Sequence, residues 1–149
     1  MTREKSRRTL AHQMHRYYRD VLYRGTDELT HTATHTTTSV QVKIRPNLVV
    51  ISPDGRRTTL IDFKTTNYPD LPHFLASAER YDYDRQAALY LDALNATRFL
   101  IIGVHKKAPH AVWLFDATAA PSCIERGRKK YAALLRRHAS SILAPALDS

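Results

Sequence analysis

Val40-Gln41-Val42-Lys43-Ile44-Arg45-Pro46-Asn47-Leu48-Val49-Val50-Ile51-Ser52, then Pro53-Asp54-Gly55-Arg56, then Arg57-Thr58-Thr59-Leu60-Ile61-Asp62-Phe63-Lys64: this stretch decides the fold. Two runs rich in Val, Ile, Leu and Thr flank a tetrapeptide in which Pro presets φ and Gly accepts a left-handed backbone. Residues 40–52 and 57–64 are therefore expected to form a β-hairpin. In the second run Asp62 and Lys64 stand two residues apart, and a strand turns both side chains to one face. A carboxylate and an ammonium group converge there. If the tip is a two-residue turn centred on Asp54-Gly55, position 47 lies opposite position 62, with Cβ atoms about 5 Å apart. Pro-Asp-Gly equally suits a type I turn with a glycine bulge, which shifts the pairing by one residue.

Upstream of the hairpin, Leu10, Met14, Tyr17 and Val21 recur at the spacing of an amphipathic helix over about residues 6–23, and Gly25 stops it. Residues 30–38, Thr-His-Thr-Ala-Thr-His-Thr-Thr-Thr, favour extended structure at an exposed edge. His31 and His35 read there as polar surface more readily than as metal ligands. Downstream, residues 67–72 form a loop and a helical stretch follows, then a helix over Asp84 to Leu94 with Ala87, Ala88, Leu91 and Leu94 apolar. Thr97 to Val104 contains Phe-Leu-Ile-Ile-Gly-Val, the pattern of a central strand covered on both faces. Ala108-Pro109 breaks the chain, Ala111 to Phe115 gives another strand, and residues 121–138 close it with a helix presenting Ile124, Tyr131, Leu135 and His138 on one side. The expected order is helix, two or three antiparallel strands, helix, strand, strand, helix: an α/β or α+β mixed sheet flanked by helices, in one domain spanning residues 1–149.

A chain of 149 residues is long enough for a real core, and no apolar run approaches the roughly 20 residues of a membrane-spanning helix. The basic start Met1-Thr2-Arg3-Glu4-Lys5-Ser6-Arg7-Arg8 is not followed by the apolar segment of a secretory signal. Cys123 is the only cysteine, so an intramolecular disulfide and a cysteine-built zinc site are both excluded, in keeping with a reducing cytoplasm. The net charge of +9 leaves two readings, a solvated basic surface or a surface for nucleic acid. Its arrangement leans to the second, since Lys and Arg gather at residues 3–8, at Arg16, Arg19 and Arg24, and between Arg126 and Arg137.

Two oxygen-bearing side chains at the separation of positions 47 and 62 suit a hard divalent cation such as Mg²⁺, and a neighbouring lysine offsets the charge that builds on a phosphate under attack. The Asp-x-Lys tripeptide alone also describes a plain ion pair on an exposed strand. Its surroundings are more specific. Arg45-Pro46-Asn47, the hairpin, Ile61-Asp62-Phe63-Lys64-Thr65-Thr66 and then Tyr81-Asp82-Tyr83-Asp84-Arg85-Gln86-Ala87-Ala88-Leu89-Tyr90 follow one another in this order. In this the chain resembles the RecB-like branch of the PD-(D/E)XK nuclease superfamily, and most of all the exonuclease VIII-type enzymes of phage recombination.

The resemblance implies a restriction-endonuclease-like core and a Mg²⁺- or Mn²⁺-dependent nuclease acting on DNA. It makes Asp62 a metal ligand, the Phe63 carbonyl a second and Lys64 the catalytic lysine. Gln86 and Tyr90, one helical turn apart, would contact DNA or position the lysine; a helix face packed on the sheet is the alternative. His15 would be a further metal ligand from an early helix, with His12 in reserve. The chain departs from the family at Asn47, where Asp is expected. An amide can lend its carbonyl oxygen to a metal but brings no charge, so affinity for Mg²⁺ should fall sharply. Three accounts fit: a deliberate change to an inactive form, a lineage that kept DNA binding and lost cleavage, or a tolerated Asn47 with His15 or Glu28 filling in.

Overall fold

The computed structural model describes residues 26–27 and 30–147. The elements run β1 (Thr26–Asp27), β2 (His31–Thr34), β3 (Gln41–Ile44), β4 (Leu48–Ile51), β5 (Thr58–Thr66), α1 (Leu71–Arg80), α2 (Tyr83–Leu94), β6 (Arg98–His105), β7 (Val112–Asp116) and α3 (Cys123–Leu147). The expected early helix, with His12 and His15, lies outside the described residues, as does Glu28. Among the described residues no helix is long and apolar enough to cross a membrane.

The fold is mixed α/β. A five-stranded sheet has the order β1-β4-β5-β6-β7, and β2 and β3 make a separate two-stranded sheet. β5 and β6 run parallel, joined through α1 and α2, while β4–β5 and β6–β7 are antiparallel. β6 has six consecutive buried residues, as its unbroken apolar run foretold, because it has a strand on each side and apolar packing on both faces.

The run from residue 40 to 52 is two strands and not the single one expected. It breaks at Arg45-Pro46-Asn47: Pro46 has no N–H for a ladder, and the chain passes there from the sheet of β3 to that of β4. The register of the hairpin is the one a turn centred on Asp54-Gly55 demands, with Leu48 opposite Ile61 and Ile51 opposite Thr58. The tip is longer than two residues. Ser52 N–H donates to Arg57 O and Gly55 N–H to Ser52 O, each at 2.8 Å, with Gly55 at φ 72°. A turn extended by one residue on each side leaves the pairing unchanged.

Alternation along β5 and β6 sorts the core into two clusters. Leu48, Ile61, Phe63, Leu100, Ile102 and Val104 make one, and Leu60, Phe74, Ala87, Leu91, Phe99, Ile101, Ala117 and Cys123 make the other, against the helices. Gly103 on β6 lets the Phe74 ring approach the sheet closely, since a Cβ there would stand 2.5 Å from that ring. The closing helix runs nine residues beyond the expected end at 138, as the sequence offers no Gly or Pro there before Pro145. His138, expected on its inner side, is exposed. The buried stripe instead passes through Cys123 and Gly127, where α3 presses on the backbone of Asp84 in α2.

Candidate functional site

β5 delivers Asp62 and Lys64 to the same face as Leu60, the face that carries the helices. Asp62 is buried, at 5% exposure. Burying a lone carboxylate costs several kcal/mol, so its partners matter. Its Oδ2 lies 2.8 Å from Lys64 Nζ, an ion-pair contact without directed hydrogen-bond geometry, and its Oδ1 accepts a long 3.5 Å bond from Gln86 Nε2. Lys64 Nζ in turn donates to Gln86 Oε1 at 3.3 Å, so the three side chains close a ring of polar contacts. Gln86 reaches them from the first turns of α2, the helix whose Ala87, Ala88 and Leu91 anchor it to the core.

The ammonium of Lys64 also sits 4.8 Å from the centroid of the Tyr83 ring, a cation–π contact. Burial pushes the Tyr83 phenol above its ordinary pKa, and the negative charge of Asp62 adds to the effect. Asn47, one step beyond the Leu48–Ile61 pair, closes the site from β4. Its Oδ1 accepts a 2.8 Å hydrogen bond from Phe63 N–H. That amide oxygen ties the two strands together beside Asp62.

Of the residues singled out from the sequence, the structure thus gathers Asn47, Asp62, Phe63, Lys64 and Gln86. Tyr90 stands apart from this ring. It packs edge-on against Phe99, with ring centroids 6.1 Å apart, in the helix-side core. This matches the alternative of a helix face packed on the sheet.

Mg²⁺ takes one or two carboxylates from a protein and completes its octahedron with water and phosphate oxygens. The described residues fall short of a free set. Asp62 is the one carboxylate of this group and is already paired with Lys64, and the Asn47 oxygen, uncharged, is engaged by Phe63 N–H. Among the described residues no group of three or more His, Cys, Asp or Glu side chains comes together in a way that could hold a metal ion.

Beside Lys64 opens a cleft of about 500 Å³, walled by Tyr68, Tyr81, Tyr83, Asn67 and Lys106 as well as Lys64. Sequence reasoning assigned none of these aromatic residues a role. The signal was present in part, in Arg80-Tyr81-Asp82-Tyr83 and Lys106-Lys107, but these two segments meet Lys64 and Tyr68 only in the fold.

No family model matches this chain, and no curated protein matches it. Fourteen solved chains do. A provisionally named exonuclease shares the fold. That structure, from Eubacterium rectale, superposes with a TM-score of 0.59 at 13% sequence identity, covering 85% of this chain and 49% of its own. The chain therefore spans about half the length of that protein. A second solved structure, SSO0001, gives a TM-score of 0.44 at 14% identity over 85% of this chain and 54% of its own.

Proposed function

We propose that this chain is a DNA-processing domain of nuclease type, in which the Asp62–Lys64–Gln86 site engages a phosphodiester and Asn47 holds cleavage down. The observation that carries the reading is the ring of contacts on β5 and α2, beside which stands the Asn47 amide, where the resemblance expects a second carboxylate. Its support beyond that ring is the motif order in the sequence, the shared fold with a provisionally named exonuclease and the net charge of +9.

The chain's own groups have distinct parts. Lys64, 28% exposed and opening on the cleft, offers its ammonium to a phosphate oxygen and offsets negative charge that builds there during hydrolysis. Gln86 and the Tyr83 ring fix where that ammonium sits. Asp62 holds Lys64 and is, among the described residues of the site, the one carboxylate available to divalent-cation chemistry, which in this reading Mg²⁺ or Mn²⁺ would supply. A second carboxylate at position 47 would complete the pair.

A second reading, a module that binds DNA without cutting it, is favoured by one specific observation: among the described residues the only carboxylate of the site is neutralised by Lys64. A Mn²⁺-supported cleavage assay on linear and circular DNA separates the two. It compares this chain, Asn47→Asp, and Asp62→Ala in the Asn47→Asp background. If Asn47→Asp cuts and the added Asp62→Ala abolishes cutting, the nuclease reading stands. If Asn47→Asp stays inert while DNA binding persists, the binding module takes over.

A further inference from the structure

The cleft beside Lys64 has a composition that the Asp62 site does not need. Tyr68, Tyr81 and Tyr83 wall it, Lys64 and Lys106 bring charge to it, and among the described residues no carboxylate lines it. Phe74 and Ser77, both buried, make its floor. The rings are organised. Tyr81 and Tyr83 stack with centroids 6.2 Å apart and planes 28° from parallel. The Arg80 guanidinium carbon stands 5.8 Å from the centroid of the Tyr81 ring. Yet Tyr81 is 55% exposed. A core role would have buried it; a ring held by stacking on Tyr83 while open to solvent is a platform.

We propose that this cleft receives an unpaired base at the end of a DNA strand, stacked on Tyr81, while Lys64 and Lys106 hold the flanking phosphates. This rests on the reading that the domain handles DNA, and deepens it by naming the state of the strand. The physical case is that aromatic faces interleaved with cationic side chains bind single strands, because every base offers a π-face once it leaves the duplex stack. In a duplex those faces are covered by neighbouring bases. Tyr83 joins the two sites: its ring lies under Lys64 and also stacks with Tyr81. A base seated on Tyr81 therefore leads its phosphodiester toward Lys64 and Asp62. The cleft volume is within the range of pockets that bury a small ligand.

The test is binding measured by fluorescence anisotropy with divalent cations chelated, so that cleavage does not enter. The probes are a single-stranded oligodeoxynucleotide, an abasic strand of equal length, and a covalently closed duplex without ends. The proteins are the unmodified chain, Tyr81→Ala and Tyr81→Phe, each checked for an unchanged circular dichroism spectrum. Expected is a preference of about 5- to 30-fold for the base-bearing over the abasic strand, lost in Tyr81→Ala and kept in Tyr81→Phe, with closed-duplex binding unchanged by either. Equal affinity for the two strands, an unaffected Tyr81→Ala, or no binding to the base-bearing strand overturns the proposal. Base-dependent binding in a protein that never cuts, even as Asn47→Asp, leaves the cleft assignment standing and removes the nuclease reading alone.

Discussion

Replacing Asp62 by Asn should weaken the fold and strengthen the grip on DNA, two effects of opposite sign from one atom change. At 2.8 Å the Asp62–Lys64 attraction is about 6 kcal/mol at an effective dielectric of about 20, before the cost of removing both groups from water. Breaking a fully buried pair costs about 3–5 kcal/mol and an exposed one under about 1. With Asp62 buried and Lys64 28% exposed, a net loss of about 1–2 kcal/mol is expected, since Asn keeps the contact to Gln86. For a domain of this size that lowers the melting temperature by about 2–8 °C. The freed ammonium then faces an incoming phosphate without a competing carboxylate. A unit charge at 4 Å is worth about 1 kcal/mol even in bulk water, so affinity for DNA should rise about fivefold at low salt. Thermal melting followed by circular dichroism and anisotropy with a fixed DNA duplex read the two effects separately. Melting unchanged together with DNA affinity unchanged or reduced would refute the reasoning, because it would mean that Asp62 does not hold Lys64.

Gly127→Ala tests the helix packing that supports α2. The new Cβ would lie 2.0 Å from the Asp84 carbonyl oxygen and 2.7 Å from the Ala88 Cβ. Overpacking of about 1–3 kcal/mol outweighs the roughly 1 kcal/mol gained in helix propensity, and a lower melting temperature is expected despite the better helix former. Tyr131 gives a pH dependence. Burial and its hydrogen bond to Asp92 push its phenol up to about 12, so the fold favours the protonated form. The stability it contributes is complete below the ordinary tyrosine value of about 10 and is lost as pH rises from there through about 12. The stability advantage of the unmodified chain over Tyr131→Phe should therefore shrink across that window in urea titrations, and an advantage that does not change with pH would contradict the assignment.

The sequence made the hairpin legible because its turn chemistry and its apolar runs agree, and the register survived an error in loop length because the loop grew symmetrically about Asp54-Gly55. β6 was legible because its six residues Phe99 to Val104 carry no polar side chain and leave few alternatives to burial on both faces. The break at Pro46 was hidden inside a run of β-favouring residues, although a proline in a supposed interior strand carried the warning. At the site, the pairing of Asp62 with Lys64 followed from strand alternation, and Gln86 from the resemblance. Tyr90 could not be placed in that way. Spacing puts Gln86 and Tyr90 on one side of α2, but one helical turn moves the side chain along the axis by about 5.4 Å, and there it meets Phe99 on β6. The tyrosine cleft brings residues 64–68 and 74–83 together with Lys106 from beyond the next helix and strand, and no local pattern announces that meeting.

The most direct test of the claim that Asn47 is the missing charge is the melting temperature of the unmodified chain and of Asn47→Asp, measured with and without millimolar Mn²⁺. Two carboxylates on Cβ atoms about 5 Å apart repel, so Asn47→Asp should melt below the unmodified chain in chelator and recover when the ion binds, by about 2.7 kcal/mol at one hundred times the dissociation constant. The account predicts that recovery in Asn47→Asp and little or none in the unmodified chain; an equal response to the ion in both proteins would contradict it.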